Sequence, residues 1–180
     1  EYICLPADHL TPVPESLDPT EAVSLILSYV TAYQLLHRIA KVQPGQRILV
    51  HGAAGAVGTA ILQLGNLFDL EIYGTTSTQK LEIVEQLGAT PIAYKMDDFV
   101  ERIRVLTGDG VDAVFDSIGG DYFSRSFSVL RRGGILAAYG FYNNVMSRGG
   151  NIPFDLLRLQ LWNVLPNKRA TKFYSIGALR

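Results

Sequence analysis

Val50-His51-Gly52-Ala53-Ala54-Gly55-Ala56-Val57-Gly58 follows a short apolar run from Arg47 and leads into a helical pattern in which Val57, Ile61, Leu64 and Phe68 recur at steps of four, three and four. A strand, a loop of small residues and an amphipathic helix, in that order, are what a dinucleotide-binding βαβ unit requires. A phosphate can approach backbone N–H groups only where side chains are small, and a helix N-terminus adds about half a positive charge to them. Gly52, Ala53, Ala54, Gly55 and Ala56 clear that approach, and Gly58 lets the helix pack closely on the strand. The spacing reads GxxGxxG, or AxGxxG counted from Ala53, rather than GxGxxG. Small residues also suit a plain strand-to-helix turn, but the strand before and the helix after favour the dinucleotide site.

Downstream of the loop, β-rich runs alternate with helical patterns. Strands are expected at residues 47–50, 71–75, 90–93, 111–116 and 135–139, with a less regular sixth at 172–176. Several are continuously apolar, as parallel strands covered on both faces are. Phe99, Ile103 and Leu106 repeat the helical period after Asp97 and Asp98, while Gly88, Gly108 and Gly133 stand where helices commonly end in a left-handed residue. The pattern predicts an α/β fold, a doubly wound parallel six-stranded sheet of the Rossmann type, over residues 21–180. Further helices are expected at 20–40 and 153–165. In the second, Phe154, Leu156, Leu157, Leu159, Leu161 and Trp162 cover more than one face, which implies burial from two sides or a subunit contact. Residues 1–20, punctuated by Pro6, Pro12, Pro14 and Pro19, carry an extended run too short to form a sheet alone and read as the tail of another domain.

The second strand bears on the choice of dinucleotide. An NAD site places Asp or Glu about 20 residues beyond the glycines, where it accepts hydrogen bonds from the ribose 2′-hydroxyl. Here the segment is Ile72-Tyr73-Gly74-Thr75-Thr76-Ser77-Thr78-Gln79-Lys80, with no acid between Glu71 and Glu82. Lys80 falls in the opening turn of the next helix, where the macrodipole disfavours a cation, so a nearby anion would rationalise it. A 2′-phosphate is such an anion, and NADP(H) is the expected cofactor. For Lys80 alone, a solvated surface lysine is the plain alternative. At the other strand ends, Tyr94, the run Asp116-Ser117-Ile118-Gly119-Gly120 and the run Gly140-Phe141-Tyr142-Asn143 should line the crevice. A glycine pair also marks ordinary turns. Asp116 reads as a loop cap and His51 as a packed, hydrogen-bonded residue rather than as an acid or base.

Composition limits the remaining possibilities. Of 180 residues 48% are apolar and 18% charged, the latter below the roughly 25% usual for soluble domains, so much of the surface is expected to be buried, either inside a thick core or against something outside this chain. Sixteen basic residues against seventeen acidic ones create no broad positive field, which argues against nucleic acid or an anionic membrane as partner. Cys4 is the only cysteine, so no internal disulfide and no cysteine-based zinc site is expected, and a reducing, cytoplasmic setting is the default. The apolar stretch from Ala22 to Val30 is far short of the roughly 20 residues of a membrane span, and no signal peptide is visible.

Leu5-Pro6-Ala7-Asp8, Tyr29-Val30-Thr31-Ala32-Tyr33, Val42-Gln43-Pro44-Gly45, the loop itself, Leu87-Gly88-Ala89, Gly110-Val111-Asp112 and the run from Asp116 to Gly120 together resemble the medium-chain dehydrogenase/reductases, specifically their zinc-free quinone oxidoreductase and zeta-crystallin branch. The resemblance spans essentially all of the chain. It implies the cofactor-binding half of a longer enzyme, with residues 1–20 the remnant of a GroES-like catalytic domain. It further implies that Thr31 approaches the nicotinamide, that Ala54, Gly55, Ala56 and Val57 meet the pyrophosphate, that Lys80 and Tyr94 meet the 2′-phosphate end, and that Ser117, Gly140 and Phe141 lie near the nicotinamide ribose. Gly74, Thr76, Ile118 and Tyr142 complete the expected cofactor-binding set. Leu27 stands where zinc-dependent members carry a cysteine ligand, so no catalytic zinc is expected. Ala56 replaces a frequent glycine, and Phe141-Tyr142 replace smaller polar residues of many relatives. The run Trp162-Asn163-Val164-Leu165-Pro166 is similar to the branch that contains vesicle-membrane homologues.

The implied activity is hydride transfer from NADPH to a small-molecule substrate, a quinone or an activated alkene, by a homodimer joined through the sheet edge. No catalytic residue is assigned in this chain, since the proton-donating groups are expected in the other domain. An enoyl-reductase domain of a polyketide or fatty-acid synthase would share this fold, and so would a non-catalytic NADP(H)-binding structural or regulatory protein. A methyltransferase would usually carry an acid where Thr75-Thr76 end the second strand.

Overall fold

β1 (Arg47–His51) is central to a six-stranded, all-parallel sheet in the order β3-β2-β1-β4-β5-β6, within a computed structural model that describes residues 3–10, 12–146 and 151–175. The other strands are β2 (Glu71–Thr76), β3 (Thr90–Ala93), β4 (Val111–Asp116), β5 (Leu130–Ala138) and β6 (Ala170–Phe173). The order reverses between β1 and β4, and this switch point opens a crevice at the carboxyl rim of the sheet. The predicted fold class is the observed one.

Side chains alternate across β1, so the strand feeds two cores. Ile48 and Val50 join Ile61, Leu62 and Phe115 on one face, while Leu49 joins Ile103, Val114, Phe123 and Leu136 on the other. All three β1 residues are fully buried, each contributing about 1.5–3 kcal/mol. The helices α1 (Pro19–Tyr33), α2 (Ala56–Leu67), α3 (Leu81–Gln86), α4 (Phe99–Thr107), α5 (Asp121–Ser128), α6 (Tyr142–Met146) and α7 (Ile152–Trp162) cover and connect these strands. Local chemistry sets their starts. Asp18 accepts from the N–H groups of Thr20 and Glu21 ahead of α1, Asp98 from Val100 ahead of α4, and Asn151 from Phe154 ahead of α7.

Four expectations are corrected. The helix expected over 20–40 is α-helical only to Tyr33 and then widens into a π-helical stretch, Gln34–Ala40, closed by left-handed Lys41. The helix expected over 153–165 runs from Ile152 to Trp162. Gly133 does not end a helix. It lies inside β5, at φ +85°, where the register against β4 slips between Val111 and Ala113. β6 begins two residues early, where Ala170 pairs with Ile135 of β5, and the side chain of Asn163 bonds both the N–H and the carbonyl of Thr171 beside it. The strand ends at Phe173, and residue 176 lies outside the described residues. Residues 3–10 and 12–18 run over the surface with one 3₁₀ turn, Ala7–His9.

Candidate dinucleotide site

Gly52 leaves β1 with φ +66°, and its carbonyl accepts the Gly55 N–H at 2.8 Å, folding the loop back so that Gly55 caps α2. No side chain caps this helix end. The first turn of α2 therefore starts without a side-chain acceptor, next to a hollow that Ala54 and Gly55 line, the setting an anion would need. Two glycines seat the loop from below. A β-carbon on Gly58 would stand 2.3 Å from the Gly52 oxygen, and one on Gly74 would stand 2.7 Å from the Ala53 Cβ. The Ala53 N–H bonds the Thr75 carbonyl at 3.0 Å, which ties the loop to β2.

Three hollows lie along the rim on either side of this loop. One of about 210 Å³ separates the loop from the end of β2 and is lined by Gly52, Ala54, Gly55, Thr76, Lys80 and Tyr94. A second of about 270 Å³ shares Gly52 and Tyr94 with it and is walled by Thr75, Ile118, Tyr122 and Tyr142. On the far side, a hollow of about 370 Å³ is lined by Leu27, Thr31, Val57, Tyr139 and Tyr174. The site is thus polar and basic at one end, aromatic beside it, and largely apolar at the other. Lys80 precedes α3, and among the described residues no carboxylate pairs with it. The uncapped amides, the bare cradle and the lone cation suit a dinucleotide with a phosphorylated ribose.

The structure divides the expected site residues into two groups. Ala54, Gly55, Thr76, Lys80 and Tyr94 come together at the first hollow, Ile118 and Tyr142 line the second with Tyr94, and Thr31 and Val57 line the third. Ala56 is exposed on the first turn of α2. Gly74 is buried beneath the loop. Gly140 passes so close to Ser117 that a β-carbon would lie 2.7 Å from the Ser117 oxygen. The ring of Phe141 stacks on Phe173 at 5.0 Å and meets Phe123 edge-on at 5.8 Å. These residues join the loops after β4 and β5, where the Tyr142 and Asn143 N–H groups bond the Ser117 and Ile118 carbonyls.

Several contributors escaped the sequence reading. Tyr122 and Ser126 lie four residues apart on α5, so helical spacing could have placed them on one face. Tyr139 follows β5, its hydroxyl bonded to Ser117, and burial pushes its pKa up to about 12. At the start of α7, buried Asp155 receives Nδ2 of Asn144 and a guanidinium nitrogen of Arg158, each at 2.7 Å. Arg158 also donates to the Gly120 carbonyl at 2.6 Å, anchoring α7 to the loop beside the second hollow.

His51 is fully buried, with Nδ1 2.9 Å from Thr75 Oγ1 and Nε2 2.9 Å from Ser126 Oγ. Burial lowers its pKa, Arg125 adds to the effect and Asp116 opposes it. Asp116 caps its loop, accepting N–H bonds from Ile118 and Gly119. Among the described residues no three His, Cys, Asp or Glu side chains gather to hold a metal ion, and no helix is long and apolar enough to cross a membrane.

The parallel sheet, its switch point and the glycine loop define a Rossmann-type domain, and residues 56–165 match the zinc-binding dehydrogenase family. The chain belongs to that family, within the medium-chain dehydrogenase/reductases, as the sequence resemblance implied. It is 40% identical over 175 residues to the 2-haloacrylate reductase of Burkholderia sp, covering 91% of this chain and 53% of the relative. It is 35% identical over 154 residues to a synaptic vesicle membrane protein VAT-1 homolog of Danio rerio, covering 84% and 32%. The structure of Escherichia coli quinone oxidoreductase complexed with NADPH matches with a TM-score of 0.79 at 27% identity, over 93% of this chain and 50% of that one. The chain therefore spans about a third to a half of the length of these curated relatives.

Proposed function

We propose that this chain is the cofactor-binding part of an NADPH-dependent oxidoreductase that reduces a quinone or an activated alkene. The observation that carries the reading is that Lys80 and Tyr94 share one hollow with the phosphate loop, at a β2 end that bears Thr75, Thr76 and Ser77 but no carboxylate. When bound, the cofactor supplies a hydride from its nicotinamide ring. The residues of this chain bind and orient. The α2 amides would hold the diphosphate, Lys80 would neutralise the 2′-phosphate, and Leu27, Thr31 and Val57 would face the nicotinamide end. Contacts far from the reacting carbon fix its position, so binding energy is spent on orientation. The names of two relatives support the acceptor class, since a quinone and a 2-haloacrylate both offer an electron-poor carbon–carbon double bond.

Calorimetric titration tests the cofactor, and NADPH is expected to bind at least about tenfold more tightly than NADH, the equivalent of one good charged contact. Equal affinities would overturn the assignment. Loss of NADPH absorbance in the presence of a quinone, an enal, a 2-haloacrylate or an enoyl thioester then separates the acceptor classes.

We also propose a homodimer joined through β6. This strand is an edge of the described sheet, and α7 beside it leaves Phe154, Leu157 and Leu161 more than half exposed.

A further inference from the structure

Thr75, His51, Ser126 and Asp116 form one continuous buried line of polar groups running from β2 through β1 and α5 to β4, and the proposed reaction makes no use of it. The direction of each bond follows from its far end. Ser126 Oγ lies 2.6 Å from Asp116 Oδ2, and a carboxylate only accepts, so the serine hydroxyl donates to it. Ser126 then accepts from His51 Nε2–H, which leaves Nδ1 of the neutral ring to accept from the Thr75 hydroxyl. Each group is satisfied by this one arrangement. Both ends of the line grip the cofactor rim. The Thr75 carbonyl holds the Ala53 N–H of the phosphate loop at 3.0 Å, while Asp116 Oδ1 holds the Ile118 and Gly119 N–H groups of the opposite loop at 2.8 and 3.1 Å.

We propose that His51 is a positioning residue for the dinucleotide: as the neutral Nε2–H tautomer it fixes the phosphate loop relative to the loop after β4, and so sets the width of the hollow of about 270 Å³ between them. The inference rests on the dinucleotide reading of the site. Protonation would place a second donor at Nδ1 against Thr75, whose hydroxyl would lose its acceptor. The groups that face the ring are Asp116 from β4 and Arg125 and Tyr122 from α5, with Phe99 of α4 packed edge-on at 4.7 Å. Arg125 is itself held by Asp98 at 3.0 Å. Burial and Arg125 disfavour the imidazolium, Asp116 favours it, and the first two prevail.

Nitrogen-15 spectra of the protein labelled at its three histidines test the tautomer, with His51→Gln assigning the signal. A neutral Nε2–H ring is expected at pH 7, protonating only below the ordinary imidazole value of 6.5. A Nδ1–H tautomer, or a charged ring at pH 7, overturns the proposal. Titrations with NADPH and with NADH, which lacks the titrating 2′-phosphate, test the consequence. His51→Leu should weaken both dinucleotides about tenfold, and His51→Gln, whose amide can donate and accept, should stay within about threefold of the parent. Thr75→Val removes one bond without touching the ring and should weaken both in the same direction, which keeps the test intact if His51→Leu does not fold. NADH affinity of the parent should fall, more steeply than that of His51→Gln, over the acidic range in which the nitrogen-15 spectra show the ring becoming charged. Unchanged binding in His51→Leu and Thr75→Val, or parallel pH profiles in parent and His51→Gln, overturns the positioning role alone. A parent protein that binds neither dinucleotide overturns the reading of the site, and this role with it.

Discussion

Gly58 sits beneath Gly52 at a distance that admits no side chain: a β-carbon there would stand 2.3 Å from the Gly52 carbonyl oxygen and 2.7 Å from that of Ala53. The obstructing atoms are backbone, so Gly58→Ala must displace either the loop or α2. The expected result is a loss of about 1–3 kcal/mol in stability and weaker binding of both NADPH and NADH. Denaturant unfolding and calorimetry check it, and a variant that unfolds and binds like the parent would show that the loop yields freely.

Lys80 stands at the head of α3, against the helix dipole, beside a strand end without a carboxylate. Lys80→Glu should cost NADPH at least about tenfold in affinity and leave NADH within about threefold. Equal loss for the two dinucleotides would remove Lys80 from the 2′-phosphate.

Asp155 is 4% exposed and takes both its partners, Arg158 and Asn144, from the elements it joins. Arg158→Met strands this carboxylate and releases the Gly120 carbonyl. A destabilisation of about 3 kcal/mol is expected, since removal of one member leaves a buried charge without its counter-ion. The double variant Arg158→Met with Asp155→Leu should recover much of the loss, and thermal unfolding of the set measures the coupling.

Acid should destabilise the protein in two windows. His51 has a pKa below its ordinary 6.5, so folding favours the neutral ring; that contribution is complete above pH 6.5 and drains away as the pH falls from there through the folded value. Asp98 is held below its ordinary 3.8, chiefly by the Val100 N–H, so its contribution persists above that pH and is lost only as the pH falls further. Urea midpoints measured between pH 7.5 and 5 should decline in the parent and stay flatter in His51→Gln. Equal slopes in the two would deny His51 the upper window.

Leu157 and Leu161 occupy one exposed stripe of α7 beside the open edge of β6. Sedimentation of the protein should give a dimer, and Leu157→Asp with Leu161→Asp should give a monomer that retains its dinucleotide affinity. A parent protein that sediments as a monomer at high concentration would exclude edge pairing.

Much of this organisation was legible before any coordinates. The loop from Gly52 to Gly58 lies where strand and helix patterns meet, and local spacing alone locates it. Tyr94 could be placed on the rim because residues beyond successive parallel strands converge there, and its pairing with Lys80 was implied by the family resemblance. Gly133 was misread because a left-handed glycine carries the same local signal at a helix end and at a bulge; what decides is the slip of β5 against β4, some twenty residues away in sequence. β6 starts where Ala170 pairs with Ile135 of β5, and the π-helical stretch closes with the Val42 N–H reaching back to the Leu36 carbonyl, neither of which periodicity records. The partners of Ser126 were hidden for a similar reason, although its face of α5 was not. A serine on a helix becomes part of a buried line only once Asp116 and His51 are brought to it by the sheet.

Leu27 and Thr31, on the helix that leads into the sheet, line one hollow together with Phe173, Tyr174 and Ser175, where the chain leaves it, and the Tyr174 hydroxyl bonds Gln34 at 2.8 Å. Entry and exit thus share a doorway. A substitution at Gln34 or Tyr174 therefore acts on both walls of that hollow at once, because one side-chain bond joins them.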